Sequence, residues 1–219
     1  DEKRIGEKCD MKKDTIFFDM YGVILEESKG NFLPYTYSHF DESEHEGLTR
    51  LFREEQLFTR AGNGEFGSDE FLARLGFKDT DFHMKDYLEH HLTLDRGFLP
   101  FAEKYKSRYD FVLLSNDVSE WSRHITAYHR LDPYFKDKIV SGDVKCRKPE
   151  EKIFRIALER TGKQPGQCFF VDNSVSNLTA ASRLGITPVL FNRDGAEYDG
   201  IVVNDFAELS KFMDRADVL

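Results

Sequence analysis

The 219-residue chain is 40% hydrophobic and 14% aromatic, enough for one packed core plus a small insertion and too apolar for a disordered chain. A formal net charge of −9 leaves no basic excess to neutralise phosphates, so no nucleic-acid partner is expected, and no apolar run approaches the roughly 18 residues of a membrane span. Three cysteines (Cys9, Cys146 and Cys168) without a Cys-x-x-Cys pair exclude a disulfide framework and a structural zinc site, and fit a reducing, cytoplasmic setting.

In chain order, DEKRIGEKCDMKK has no apolar segment and reads as a charged tail, not a secretory signal. Thr15 to Phe18 follow as a short run of β-branched and aromatic residues, the pattern of a strand buried on both faces. It stops at Asp19, with Gly22 three residues later and a short extended piece at Val23 to Leu25. From Glu26 to Arg96 the chain turns polar and helical: Glu44 to Phe58 is expected as one helix, Ala61 to Gly67 as a break, and Ser68 as the N-cap of a helix closed by Gly76. Asp81 to Leu94 completes an all-helical insertion placed after the first strand.

Strands and helices alternate from Gly97 onward. Strands are expected at Tyr109 to Leu114, Ile139 to Val140, Cys168 to Val171 and Ile186 to Phe191. Helices are expected at Phe98 to Arg108, Ser119 to His129, Pro149 to Arg160, Ser174 to Leu184 and Asp205 to Arg215. This alternation predicts an α/β, Rossmann-like parallel sheet with helices on both faces, formed by residues 1–25 and 97–219, and a small helical cap formed by 26–96.

Three strands end in polar clusters: Asp19, Ser115-Asn116 and Asp172-Asn173. Parallel strands bring their C-terminal ends to one edge, so these clusters should converge. Lys148, in CRKPEEKIF, precedes Pro149 at an expected helix start, where free backbone N–H groups favour anions. A carboxylate nucleophile, hydroxyl and amide groups, an ammonium and further oxygens form a kit for attack on a phosphoryl group. Lysine and a metal would offset the charge on the group in transfer.

Together FFDMYGVI, LLSND, RKPEEKIF and FFVDNSVSNLTAASRLGI resemble, in order and spacing, the motifs of the haloacid dehalogenase-like hydrolase superfamily, from Thr15 to about Phe212. The resemblance implies Asp19 as nucleophile and Ser115, Asn116 and Lys148 as the phosphate-binding set. It implies Mg²⁺ held by Asp19, the backbone carbonyl of Tyr21, Asp172 and Asn173, and a small phosphorylated molecule as substrate. The insertion resembles the helical cap of the subfamily that caps directly after the first motif, and GEFGSDEF is similar to caps of sugar-phosphate phosphatases and of the epoxide-hydrolase phosphatase domain.

Two positions depart from the phosphatase pattern. Tyr21 stands where those enzymes carry the Asp that acts as acid and base, and a phenol of pKa about 10 is a poor proton shuttle near pH 7. Asn173 replaces the second Asp of the fourth motif, which weakens Mg²⁺ binding. The sequence therefore carries three readings: a Mg²⁺-dependent phosphatase working through Asp19, a weakly active or inactive phosphate-binding member, and a metal-independent 2-haloacid dehalogenase. The last is favoured by Asp19-Met20-Tyr21-Gly22 and opposed by Asn177. Within the cap, Arg53, Arg60 and Asn63 are candidates for substrate contact, and His83 and His90 are read as solvated; outside it, His124 and His129 are read as surface or satisfied groups and Trp121 as packing.

Overall fold

The structure, a computed structural model, describes residues 14–216; the charged tail and Cys9 lie outside the described residues. β1 (Thr15–Phe18) is central in a six-stranded parallel sheet of order β3-β2-β1-β4-β5-β6. Its neighbours are β2 (Asp110–Ser115) and β4 (Cys168–Asp172), followed outward by β3 (Phe135–Val140) on one side and β5 (Thr187–Phe191) and β6 (Ile201–Val203) on the other. All four β1 side chains are fully buried, which suits the apolar Ile16, Phe17 and Phe18, and the Thr15 hydroxyl is satisfied by Asp14 Oδ1 at 2.9 Å.

The two-residue period of the strands divides the core. Ile16, Phe18, Phe111, Leu113, Phe169 and Val171 face one side, whereas Phe17, Val112, Leu114, Cys168 and Phe170 face the other. The register sets Phe18 level with Leu113 and Val171, so Asp19, Ser115 and Asp172 emerge at the same edge. The sheet is the α/β, Rossmann-like one that the alternation predicts.

Between β1 and α6 (Phe98–Tyr105) lie α1 (Phe32–Tyr37), α2 (His45–Arg53), α3 (Leu57–Gly62), α4 (Ser68–Arg74) and α5 (Thr80–His90). The single helix expected over Glu44 to Phe58 is two, because Gln56 adopts a left-handed backbone (φ 48°). That break leaves residues 54–56 in solvent and turns Leu57 inward to 1% exposure. Ser68 is the first residue of α4, not its cap; its hydroxyl accepts a 2.7 Å hydrogen bond from Trp121 Nε1. Asp79 caps α5 by accepting from Phe82 N at 3.1 Å.

α7 (Ser119–Tyr128) supplies the seat for these helices. Trp121 is fully buried, with ring contacts to Phe32 (4.9 Å), Tyr87 (5.4 Å), Phe58 (5.7 Å) and Phe71 (5.7 Å). His124 is not a free surface group, because its Nε2 lies 2.7 Å from Glu89 of α5. The Ser141 hydroxyl donates to the Gly62 carbonyl. Gly64 (φ +72°) lies so close to Gly142 that an added Cβ would come within 2.1 Å of its carbonyl oxygen. One hydrophobic core thus runs without a break from the sheet into the insertion.

The remaining helices are α8 (Ser141–Val144), α9 (Glu151–Thr161), α10 (Val175–Arg183) and α11 (Phe206–Ala216). α9 starts two residues after Pro149: the Glu150 N–H closes a turn on the Arg147 carbonyl at 2.8 Å, which places Lys148 in a turn and not at the helix start. Among the described residues no helix is long and apolar enough to cross a membrane.

Candidate active site

Four strand ends meet at a cavity of about 580 Å³. Asp19, 8% exposed, forms part of its floor. Asp19 Oδ1 accepts from Met20 N at 2.8 Å and pairs with Lys148 Nζ at 2.7 Å; among the described residues Oδ2 has no hydrogen-bond partner. Lys148, 2% exposed, bridges to Asp172 Oδ2 at 2.8 Å. A buried ammonium between two carboxylates offsets charges that would each be costly alone.

Burial, with Asp172 adding to it, pushes the Asp19 carboxyl up to about 7 against the pull of the Lys148 ammonium. Burial also opposes the charge on Lys148, but Asp172 and Asp19 outweigh it and hold this amine above its ordinary value.

The expected site residues take different places around this pair. Asn116 touches the cavity, but its Nδ2 donates to the Lys148 carbonyl and its Oδ1 accepts from Lys148 N, both at 2.8 Å. Its side chain therefore holds the Lys148 backbone. Ser115 ends β2 fully buried and does not line the cavity, and among the described residues its Oγ finds no partner. Asp172, expected among metal ligands, is instead enclosed at 0% exposure. Its oxygens accept from Lys148 Nζ, from Ser174 N at 2.7 Å, and from Asn177 Nδ2 at 3.1 and 3.2 Å. It steers Lys148 from behind.

Tyr21 lines the cavity, and its hydroxyl donates to Asp117 Oδ1 at 3.3 Å. Burial, followed by the nearby Asp117, drives the Tyr21 phenol well above its usual value, so it stays protonated. Burial likewise raises Asp117, whose Oδ2 is enclosed without a partner among the described residues. Gly22 (φ +79°) leaves room for Asn173: an added Cβ would stand 2.4 Å from Asn173 Nδ2.

Asp194 was missed in the sequence. It follows β5, lines the cavity, and accepts from Ser28 Oγ at 2.9 Å and Asn173 Nδ2 at 3.4 Å. The rule that collects strand ends at one edge would have pointed to it, because Asn192-Arg193-Asp194 is a polar cluster after a buried strand. Beside it, Arg193 donates to the carbonyls of Gly22 (3.0 Å) and Val23 (3.2 Å) and pairs with Asp95, which pins both chain segments that lead into and out of the insertion.

The insertion presents Phe32, Leu33, Phe52, Phe58 and Tyr87 to the cavity. The expected substrate contacts of the insertion lie elsewhere. Arg53 is exposed, Arg60 pairs with Glu65 at 2.7 Å and lies over the Phe66 ring, and Asn63 Oδ1 is buried without a partner; none lines the cavity. His83 is not a solvated residue either: its ring packs 4.4 Å from Phe77, and Nδ1 lies 2.9 Å from the Tyr35 hydroxyl.

Comparison with known proteins agrees with this geometry. The family model for haloacid dehalogenase-like hydrolases matches residues 13–185, and the chain belongs to that family. It is 28% identical over 199 residues to (S)-2-haloacid dehalogenase 4A of Burkholderia cepacia, a match covering 81% of this chain and 82% of that protein. Among solved structures it resembles a HAD phosphatase from Thermococcus onnurineus (TM-score 0.73, 24% identity, 91% of this chain and 97% of that one). It also resembles a HAD family enzyme of Bacteroides thetaiotaomicron solved in complex with magnesium and inorganic phosphate (TM-score 0.70, 21% identity, 85% and 98%). The chain is a hydrolase of this family.

Proposed function

We propose that the protein is a phosphatase of small phosphate monoesters that works through a covalent aspartyl phosphate on Asp19. The observation that carries this reading is the position of Asp19, one oxygen tied to Lys148 and Met20 N and the other unengaged, at the floor of the cavity. In the first step Asp19 Oδ2 attacks phosphorus, the acyl–phosphate bond forms, and the ester P–O bond breaks with the electron pair leaving on the substrate oxygen, which takes up a proton from solvent water. Water then cleaves the aspartyl phosphate, releasing phosphate and restoring the carboxylate. Lys148 offsets negative charge on the group in transfer; Asp172 holds its ammonium in place and Asn116 holds its backbone. In the same reading residues 26–96 act as a cap over a core of 1–25 and 97–219, and Asn116 lies beside the phosphate with Ser115 enclosed behind it. The buried thiols of Cys146 and Cys168 suit a reducing cytoplasm.

Mg²⁺ fits the donors near Asp19 only as a sparse site. Among the described residues no three His, Cys, Asp or Glu side chains converge as a metal cluster. Mg²⁺ needs hard oxygens and commonly takes only one or two carboxylates, completing its shell with water and substrate phosphate. Asp19, the Tyr21 carbonyl and Asn173 would hold it, with Asp194 beside Asn173. When bound, it supplies positive charge opposite the transferring phosphoryl group.

A metal-independent 2-haloacid dehalogenase is the second reading. Tyr21 after the nucleophile and the Burkholderia relative favour it. Against it, Asn177 spends its amide on Asp172 and cannot activate water as a base. Assays of phosphate and halide release, with and without EDTA, separate the two for wild type and Tyr21→Asp. The phosphatase loses activity to EDTA and gains up to about 10²-fold in Tyr21→Asp, where a carboxylate able to protonate the leaving oxygen is restored. Metal-independent halide release by the wild type, lost in Tyr21→Asp, would replace it with the dehalogenase.

A further inference from the structure

The cavity has two walls of opposite chemistry. Its core side carries the ions and amides: Asp19, Lys148, Asn116, Asn173, Asn177 and Asp194. The side contributed by α1, α2, α3 and α5 carries Phe32, Leu33, Phe52, Phe58 and Tyr87. The side-chain polar groups on the insertion side are the Tyr87 hydroxyl and, on the segment leading to α1, Ser28 and Lys29; the Ser28 hydroxyl is already donated to Asp194.

Most of this apolar wall is held from behind. Phe32 packs against Tyr87 and Trp121, and Phe52 and Phe58 pack against Phe32 and Phe71. Leu33 differs. It is half-buried and lines the cavity, yet it belongs to neither hydrophobic core. Its apolar surface is available to whatever occupies the cavity.

From this juxtaposition we infer that the substrate is a phosphate monoester whose leaving group is apolar, an aryl or alkyl body, and not a polyhydroxylated sugar. The inference rests on the phosphatase reading. With Asp19 at the phosphorus, the remainder of the substrate extends away from the polar floor and meets the wall of Phe32, Leu33, Phe52 and Phe58. That wall offers neither donors nor acceptors from those side chains. A sugar placed there would surrender hydration of several hydroxyls with only the Tyr87 hydroxyl and Lys29 to replace it on the insertion side, whereas a phenyl or alkyl group removes its own apolar surface and that of Leu33 from water. The rings are locked by their packing, so the wall cannot turn polar groups inward to suit a sugar. Neither Arg53 nor Arg60, the arginines expected to contact substrate, lines the cavity: Arg53 is exposed and Arg60 pairs with Glu65.

The test compares kcat/KM for phosphate release from phenyl phosphate and from butyl and hexyl phosphates with that from glycerol phosphate and a hexose phosphate. Phenyl phosphate should exceed the hexose ester by about 10²-fold, and each added methylene in the alkyl series should raise kcat/KM about 2–4-fold until the wall is filled. Leu33→Asn should reduce the phenyl-to-hexose ratio at least several-fold, with circular dichroism and melting unchanged. Equal or better turnover of the hexose ester overturns the inference and leaves the phosphatase reading standing. Absence of phosphate release from every ester overturns the phosphatase reading instead. The wall is then judged by calorimetry with phenylphosphonate and methylphosphonate: binding of phenylphosphonate about tenfold or more tighter upholds the apolar selection, and equal Kd values overturn it.

Discussion

The two walls of the cavity are made by different physics. The core side is a chain of short polar contacts, Asp19 to Lys148 to Asp172 to Asn177, in which each group is buried and holds the next. The insertion side is a packed set of rings and aliphatic groups drawn from four helices and seated on Trp121. On the first wall one removed atom leaves a buried charge uncompensated, whereas on the second it removes a share of apolar contact that neighbours partly restore. Sensitivity should therefore be steep and discrete on the core side and graded on the other.

Replacement of the nucleophile should break the core wall most completely. Asp19→Asn is expected to lower phosphate release by at least about 10⁴-fold, because an amide cannot form the acyl phosphate. Its fold should persist, since Lys148 keeps Asp172 as a partner. Steady-state assay with circular dichroism checks both outcomes.

Lys148→Met tests whether the wall also stabilises the fold. Loss of the ammonium leaves Asp19 and Asp172 buried without their counter-charge, and a broken buried pair typically costs about 3–5 kcal/mol. Urea denaturation should show that loss at pH 8. The deficit should shrink as pH is lowered, because burial raises the Asp19 carboxyl and, without the pull of Lys148, the native state binds protons there that the unfolded chain does not. A variant as stable as wild type at pH 8 would show that the contacts of Lys148 contribute nothing net to folding.

Trp121→Phe probes the insertion wall through its seat. It removes the hydrogen bond to Ser68 and part of the packing against Phe32, Phe58, Phe71 and Tyr87, at an expected cost of about 1–3 kcal/mol. Amide exchange should speed up in α3 to α5 while β1, β2 and β4 stay protected. Uniform acceleration across sheet and insertion would mean that the two walls unfold as one unit.

The smallest effect is a pH dependence outside the cavity. Burial lowers the pKa of His83 and of His129, whose Nε2 is enclosed without a partner among the described residues. Below about pH 6.5 the unfolded chain binds the protons that these rings refuse in the native state, so stability falls as pH drops through that value. Melting curves from pH 7.5 to 5.5 should show a shallower decline in His129→Gln than in wild type, and identical slopes would remove His129 from the balance.

Some of this was written locally in the chain. A run such as Ile16 to Phe18 has no polar residue to present to water, so it must be covered on both faces, and its abrupt end at Asp19 marks an edge. The same logic applied to Leu114-Ser115 and Val171-Asp172, and parallel pairing then obliged these ends to converge. The sheet, the helical insertion and the grouping of Asp19, Lys148 and Asp172 were therefore legible in the sequence. Tertiary structure decided what each group faces. Asp172 and Asn116 look like ligands by position, yet packing turned their polar atoms onto Lys148, and only that enclosure separates a residue that positions from one that binds. The apolar wall is likewise absent from local pattern. Phe32, Leu33, Phe52, Phe58 and Tyr87 come from four helices with unrelated spacings, and the left-handed break at Gln56, with the seat on Trp121, sets which rings turn toward the cavity and which arginines remain outside. Short-range periodicity records whether a residue is buried, but the partner that buries it is chosen by contacts far along the chain.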